Sequence, residues 1–429
     1  MIYLYGINSF SINYSKEFYS KETQLVTTTA EEKYGYHSIS LSEMLENDDL
    51  DQVIIFSSFL SEIIDTLTAK DIDKNKIYIF SADDLTITRY GAITQNKTIA
   101  PSVLWCFYDL NYCHVNFDYM VFLIAAEIKR LEESSSHLNI CIVLPYGECY
   151  SDSDLNIFSI KNGQHADDDF LQDRIQGILL HLNRCFRSVL ECHVVNKSEV
   201  KSFIMSKDIR HTFPEGYITS YRMKQYHHCD FDLSNHLPDF RSLLKAPDSY
   251  QDMVARYIRL LPNDKRLITI TLREYGYQDY RNSNVYEWVR FIDSLDKDLY
   301  HPIIIRDTHT LYSEFPECSA PLLNEASLDL KLRIALYEKS YINLSVSCGP
   351  STLFFYINNC RSIEFREVCN QSLSTKKEHI FMASRMIEGE QPYYANKSFN
   401  RISWQEDTFI NIKNAFDGFC KYIEDNRVE

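Results

Sequence analysis

Two short segments in the last third of the chain carry residue types that could hold an anion. The first is Ser347-Cys348-Gly349-Pro350-Ser351, which follows the apolar run Tyr341 to Val346 and precedes a helical pattern, Thr352 to Asn358. Amides at the start of a helix are unpaired and lie at the positive end of its dipole, so a strand, a glycine turn and a helix make a ready anion site. Gly349 would allow close backbone approach, and Ser347 and Ser351 flank it with hydroxyls ahead of and behind Pro350. The plainer reading is a tight turn. The second segment is Arg273-Glu274-Tyr275, followed by Arg281-Asn282-Ser283-Asn284, again after a strand-like run. Arg273 would offer a planar, permanently charged fork suited to a diphosphate, and Arg281 a second. A surface salt bridge of Arg273 with Glu274 or Asp279 competes with that reading. Asp307, and Glu325 or Asp329, could accept hydrogen bonds from ribose hydroxyls, although each taken alone is an ordinary solvated carboxylate or helix cap.

These residues need a scaffold, and the pattern around them supplies one. Short β-rich apolar runs alternate with amphipathic stretches, which predicts an α/β fold with parallel sheets covered by helices. The clearest block has strand Leu267 to Leu272, helix Val285 to Leu295, strand Pro302 to Ile305, helix Leu328 to Glu338, strand Tyr341 to Val346 and strand Ser362 to Phe365. A final amphipathic helix, Phe409 to Asp425, closes it. In an open parallel sheet ligands bind at the carboxyl ends of strands, so both segments fall on one sheet edge.

Two further blocks precede it. Ile2 to Tyr5, Gln52 to Phe56 and Lys76 to Phe80, with helix Leu60 to Leu67, read as a small Rossmann-like unit. Its turn after Tyr5 has the single glycine Gly6, where a dinucleotide fingerprint needs two or three, so no cofactor is assigned. The middle block has strand Val103 to Tyr108, helix Phe117 to Leu131, strand Ile140 to Leu144, helix Phe170 to Arg187, strand Leu190 to Val195 and a short helix near Glu199 to Ser206. The polar stretch Tyr221 to His228 reads as a crossover, with a hinge at about 215–250. The expected domains are 1–95, 96–245 and 246–429.

The runs Ile268 to Glu274, Arg281 to Trp288, Ile303 to Asp307 and Ser347 to Leu353 resemble, in layout and order, the C-terminal domain of GT-B glycosyltransferases. The layout is similar to that of the heptosyltransferase and O-fucosyltransferase-like families over roughly 265–366. Cys348 departs from the Asp or Asn more usual in such a turn. The resemblance implies a GT-B-like pair of Rossmann-type domains with an added N-terminal unit. It also implies a nucleotide-sugar donor held by Arg273, Arg281, Asp307, Glu325, Ser347, Gly349, Pro350 and Ser351. The acceptor would be a glycan or a lipid-linked hydroxyl, in bacterial surface-polysaccharide assembly. A metal-independent, inverting transfer needs a base from a strand-end loop of the middle block. Asp109 is the first choice, with Asp118 and Glu148 as alternatives and His114 in the same loop. A non-catalytic sugar- or partner-binding protein and a nucleotide-sugar epimerase are the rival readings.

Other chemistries have weaker signals. Asp230-Phe231-Asp232 and Asp152-Ser153-Asp154 match the D-x-D spacing that holds a divalent ion, but 60 acidic residues produce such spacing by chance. His227 and His228 are adjacent, lack a third ligand at suitable spacing and are assigned no metal. The nucleophile elbow, the phosphate loop and the H-E-x-x-H helix are absent. A net charge of -16 argues against broad nucleic-acid or anionic-membrane binding. No run of about 18 apolar residues predicts a membrane span, and the start lacks a secretory pattern. None of the 12 cysteines forms a C-x-x-C pair, which suits free thiols in a cytoplasmic protein. Homo-oligomerisation is left open.

Overall fold

The computed structural model describes residues 1–17, 23–47, 49–57, 60–81, 86–90, 103–145, 168–207, 209, 211–232, 240–276, 278–369, 371 and 375–426. The chain divides into two compact units. One comprises Met1–Cys113, Ala126–Gly147 and His193–Lys224, and the other His114–Ala125, Glu148–Cys192 and Gln225–Glu429. The fold is α/β with parallel sheets of the Rossmann type, as the alternation of apolar runs predicts.

The first sheet contains β1 (Ile2–Tyr5), β2 (Thr23–Thr27), β3 (Ile39–Ser40), β4 (Gln52–Ile55), β5 (Ile77–Ser81) and β6 (Thr86–Arg89), in the order β3-β2-β1-β4-β5-β6. Only β6 runs antiparallel to its neighbour. The sequence pattern did not single out β2, because its run of Thr, Gln, Leu, Val and Thr is mostly polar. Gly6 has φ +105°, and an added Cβ would lie 2.9 Å from the Phe56 carbonyl oxygen. Its role is therefore close packing of the β1 turn against the end of β4.

The second sheet contains β7 (Val103–Asp109), β8 (His137–Leu144), β9 (Val189–Asn196) and β10 (Thr212–Phe213), in the order β9-β8-β7-β10. The expected single helix from Phe170 to Arg187 is instead three pieces: an α-helix Asp168–Arg174, a π-helix Ile175–Leu180 and an α-helix His181–Cys185. Gly177 sits in the wide segment, and an added Cβ there would meet nothing within 4 Å.

The third sheet contains β11 (Arg266–Thr271), β12 (Tyr300–Ile305), β13 (Ile342–Val346), β14 (Ser362–Phe365) and β15 (Asn400–Ser403), all parallel, in the order β12-β11-β13-β14-β15. Ile270, Leu344, Val346 and Phe365 pack in one core with Trp288, Phe291, Phe416 and Phe419 from the helices Val285–Asp293 and Phe409–Asp425. The expected helix Thr352 to Asn358 is a 3-10 helix, Pro350–Tyr356, in which Leu353, Phe354, Phe355 and Tyr356 are all buried. With no solvent face left, the segment has no amphipathic stripe to sustain an α-helix, and it serves as a connector. No helix among the described residues is long and apolar enough to cross a membrane.

Candidate functional site

In the third sheet β12 lies on one side of β11 and β13 on the other, so the chain reverses direction between β11 and β13. Helix connections leave opposite faces at such a point and open a crevice at the carboxyl ends of the two strands. Thr271 of β11 is level with Ser345 of β13, and the residues that follow are Arg273 and Ser347. The two segments singled out in the sequence therefore flank this switch point. Arg281 Nη2 donates to the Ser347 carbonyl oxygen at 3.4 Å, so the two loops meet. Ser345 Oγ is buried there without a hydrogen-bond partner.

The turn that carries Arg281, Asp279–Arg281, is fastened from β14 and from the start of the last helix. Arg366 donates to the carbonyls of Asn282 at 2.6 Å and Tyr280 at 2.7 Å. Asp407, 2% exposed, accepts from the Asn284 amide at 2.7 Å and from Trp288 Nε1 at 2.8 Å, and pairs with Arg366 at 3.4 Å. Arg273 is 7% exposed; Nη1 donates to the Gln278 carbonyl at 2.9 Å and to Asn282 Oδ1. Burial, and after it the charge of Arg281, push its guanidinium down to about 10, so it is still a cation at neutral pH but an unfavourably placed one. Glu274 is taken by Arg306, in a two-pronged pair at 2.8 and 2.7 Å. Asp307 caps the turn Thr308–Thr310 and lies within electrostatic reach of Arg273.

The turn after β13 is built more inwardly than its sequence suggests. Ser351 is fully buried; its hydroxyl lies 2.7 Å from Glu364 Oε1 and from the Cys348 carbonyl, and accepts from the Cys348 amide at 3.1 Å. A Cβ on Gly349 would lie 2.5 Å from a ring carbon of Phe117, so this glycine seats an aromatic ring. Pro350 opens the 3-10 helix. Glu325 is exposed on the short helix Glu325–Leu328, and the structure does not join it to the arginine loops. Asp329 caps the helix Leu330–Lys339 and accepts from Tyr250 OH at 2.6 Å.

Behind the turn stand two carboxyl groups that the sequence reading missed. Burial, and then the charge of Glu367, push Glu364 well above the usual carboxylate range; burial pushes Glu367 up as well. An acid inside the apolar run Ser362 to Phe365 is the sequence signal that could have found Glu364. Because the folded chain binds the Glu364 proton more tightly than the unfolded chain, which releases it near pH ~4.3, the contribution of this group to stability is full below that pH and is lost as pH rises through the folded value. Glu364→Gln is expected to match the wild type near pH 4 and to melt higher at pH 8, by on the order of 1 kcal/mol for each unit of separation. Thermal melts from pH 4 to 9 read this directly, and equal curves at pH 8 would show an ionised Glu364.

Asp109 ends β7 and is fully buried. Its Oδ2 accepts from Lys197 Nζ at 2.5 Å and Tyr217 OH at 2.7 Å, and its Oδ1 from the Asn111 amide at 3.0 Å and Asn111 Nδ2 at 2.7 Å. Lys197 also donates to the Tyr221 carbonyl and lies over the rings of Tyr112 and Tyr217, each centroid at 5.4 Å. This carboxylate is saturated and shut off from solvent. Asp118, in contrast, is exposed and next in sequence to Phe117, whose ring rests on Gly349. The His114 amide donates to Gln225 Oε1 at 3.3 Å. Glu148, Asp152 and Asp154 lie outside the described residues. Asp230 accepts from the His227 amide at 2.8 Å, and Asp232 is exposed. His228 is core: its Nε2 is 2.8 Å from Tyr356 OH, its ring stacks on Tyr394, and burial pushes it down to about 4. Among the described residues no three His, Cys, Asp or Glu side chains form a group that could hold a metal ion. The described cysteines are free.

No family model matches the chain, and no curated protein matches its sequence. Among solved structures, the chain is similar to a glycosyl transferase family 9 protein from Veillonella parvula, with 10% identity and a TM-score of 0.41 over 74% of this chain and 90% of that one. It is also similar to the wall teichoic acid polymerase TagF, with 9% identity and a TM-score of 0.29 over 85% of this chain and 89% of that one. Likeness at these scores concerns the course of the chain and carries nothing about activity.

Proposed function

We propose that this protein is a glycosyltransferase that takes its sugar from a nucleotide-sugar donor, with the donor diphosphate held at the carboxyl ends of β11 and β13. The observation that carries this reading is the reach of Arg281 across the switch point to Ser347, beside a second buried guanidinium, Arg273. Two like charges forced together in a crevice gain when an anion enters. In an inverting transfer an acceptor hydroxyl attacks the anomeric carbon, the bond to the diphosphate breaks, and the hydroxyl proton passes to a carboxylate. Asp118 suits that last role better than Asp109, because it is exposed and its neighbour Phe117 packs on the turn after β13. An acceptor from surface-polysaccharide assembly, and transfer without a metal ion, belong to the same proposal.

A non-catalytic nucleotide- or sugar-binding role is the second reading, and the saturated Asp109 at the end of β7 favours it. Thermal melts with a panel of nucleoside diphosphates test the donor site. A ligand at about 100 times its Kd adds roughly 2.7 kcal/mol, a rise of several degrees in Tm. No rise with any member at millimolar concentration rejects both readings. Turnover of the corresponding nucleotide sugar then separates transferase from binding protein, and product analysis separates transfer from epimerisation.

A further inference from the structure

A cavity of about 590 Å³ opens at the other edge of the third sheet, where its strands begin. Arg266 starts β11, Tyr341 and Arg361 immediately precede β13 and β14, Phe399 immediately precedes β15, and all four line it. The crevice described above lies at the opposite, carboxyl ends of the same strands. Among the described residues the cavity is lined by four cations, Lys265, Arg266, Lys339 and Arg361, and two acids, Asp264 and Glu338. In a chain with a net charge of -16 composition does not produce such a surplus, so it is a property of this place in the fold.

Two of the four cations are met by carboxylates. Lys339 Nζ lies 3.5 Å from Glu338 Oε1, and Arg266 Nη1 lies 3.2 Å from Glu424 Oε1. Lys265 and Arg361 form no ion pair and no side-chain hydrogen bond among the described residues. What holds Arg361 is aromatic: its guanidinium carbon is 5.7 Å from the centroid of the Tyr341 ring and 5.8 Å from that of Phe399. A guanidinium held by ring faces keeps its N–H donors, which lie in its own plane, for another partner. Arg266 addresses the same Tyr341 ring, 4.6 Å from its centroid. The two guanidiniums are thus no further apart than their two distances to that centroid taken together, a gap that a phosphorylated ligand can bridge. A lone phosphate would leave most of the cavity unfilled, whereas small-molecule sites have volumes of roughly 300–1,000 Å³.

We propose that this cavity is a second anion site, separate from the donor edge, that takes a phosphorylated small molecule. Arg361 and Arg266 bind its phosphate through their planar forks, and Lys265 and Lys339 add to the positive field around it. The site does not depend on the donor reading above.

Calorimetric titration of the full chain with inorganic pyrophosphate tests this. In Arg281→Ala, which weakens the donor edge, pyrophosphate binding should persist. Adding Arg361→Met to that variant should weaken it at least ~10-fold, the loss of one charge-assisted, two-pronged contact. Ligand-free Tm is the control for folding. Arg361→Lys, which keeps the charge but not the fork, should show an intermediate fall and takes the place of the methionine variant if that does not fold. Equal pyrophosphate affinity in Arg281→Ala and in the double variant overturns this site, and so does an absence of binding by Arg281→Ala at millimolar concentration. Neither result touches the donor edge, which stands or falls on nucleoside-diphosphate binding by the wild type. Conversely, if no nucleoside diphosphate binds but pyrophosphate binding follows Arg361, the donor reading falls and this site stands.

Discussion

Lys197→Met is expected to cost about 3–5 kcal/mol, because it leaves the Asp109 carboxylate buried without its cation. Asp109 is fully buried, so water cannot replace the ammonium. Tyr217 OH and the two Asn111 donors remain, but none carries a charge. Lost with it are the hydrogen bond to the Tyr221 carbonyl and the contacts with the Tyr112 and Tyr217 rings. For a unit of this size the loss corresponds to a fall of roughly 6–20 °C in Tm. The double variant Asp109→Asn with Lys197→Met should recover much of the loss, since replacing both members of a buried pair is often close to neutral. Thermal melts of the two singles and the double give the coupling between the residues. A small, additive effect would mean that Asp109 is held loosely enough to act as a base, and would return it to candidacy over Asp118.

Arg281→Ala is expected to weaken nucleoside-diphosphate binding by about 10- to 150-fold, the range of a charge-assisted hydrogen bond worth about 1.5–3 kcal/mol. Its effect on the fold should be small. Among the described residues the side chain makes hydrogen bonds only to Gln278 Oε1 at 3.1 Å and to the Ser347 carbonyl at 3.4 Å, while the turn itself is held by Arg366 and Asp407. Arg273→Ala should weaken binding as well, but it also releases the Gln278 carbonyl and Asn282, so loop loosening contributes to its effect. Affinity from calorimetry, with ligand-free Tm as the control, separates the two causes. Unchanged affinity in Arg281→Ala would remove the diphosphate from this edge of the sheet.

The arrangement gives each charged residue at the edge a distinct task. Arg366 and Asp407 hold the loop, Arg306 pairs with Glu274, and Arg273 lies within electrostatic reach of both Arg281 and Asp307.

The sequence by itself determined the class of fold and the place of Arg273 and Ser347 after two strands of one sheet. Apolar runs such as Leu267 to Leu272 and Tyr341 to Val346 are β-rich and bounded by turns, so a buried parallel strand is readable from local pattern alone. Strand ends follow from strand positions, which puts Arg273 and Ser347 at one edge. What each side chain does there was decided by tertiary structure. Ser351 and Gly349 have the residue types of a phosphate turn, yet one is spent on Glu364 and the other seats Phe117, both partners distant in sequence. Asp109 ends a strand as a base should, but Lys197 closes it. The physical reason is common to all three. Secondary structure follows from periodicity over a few residues, whereas burial and charge pairing depend on groups brought together across tens of residues, which no local pattern encodes.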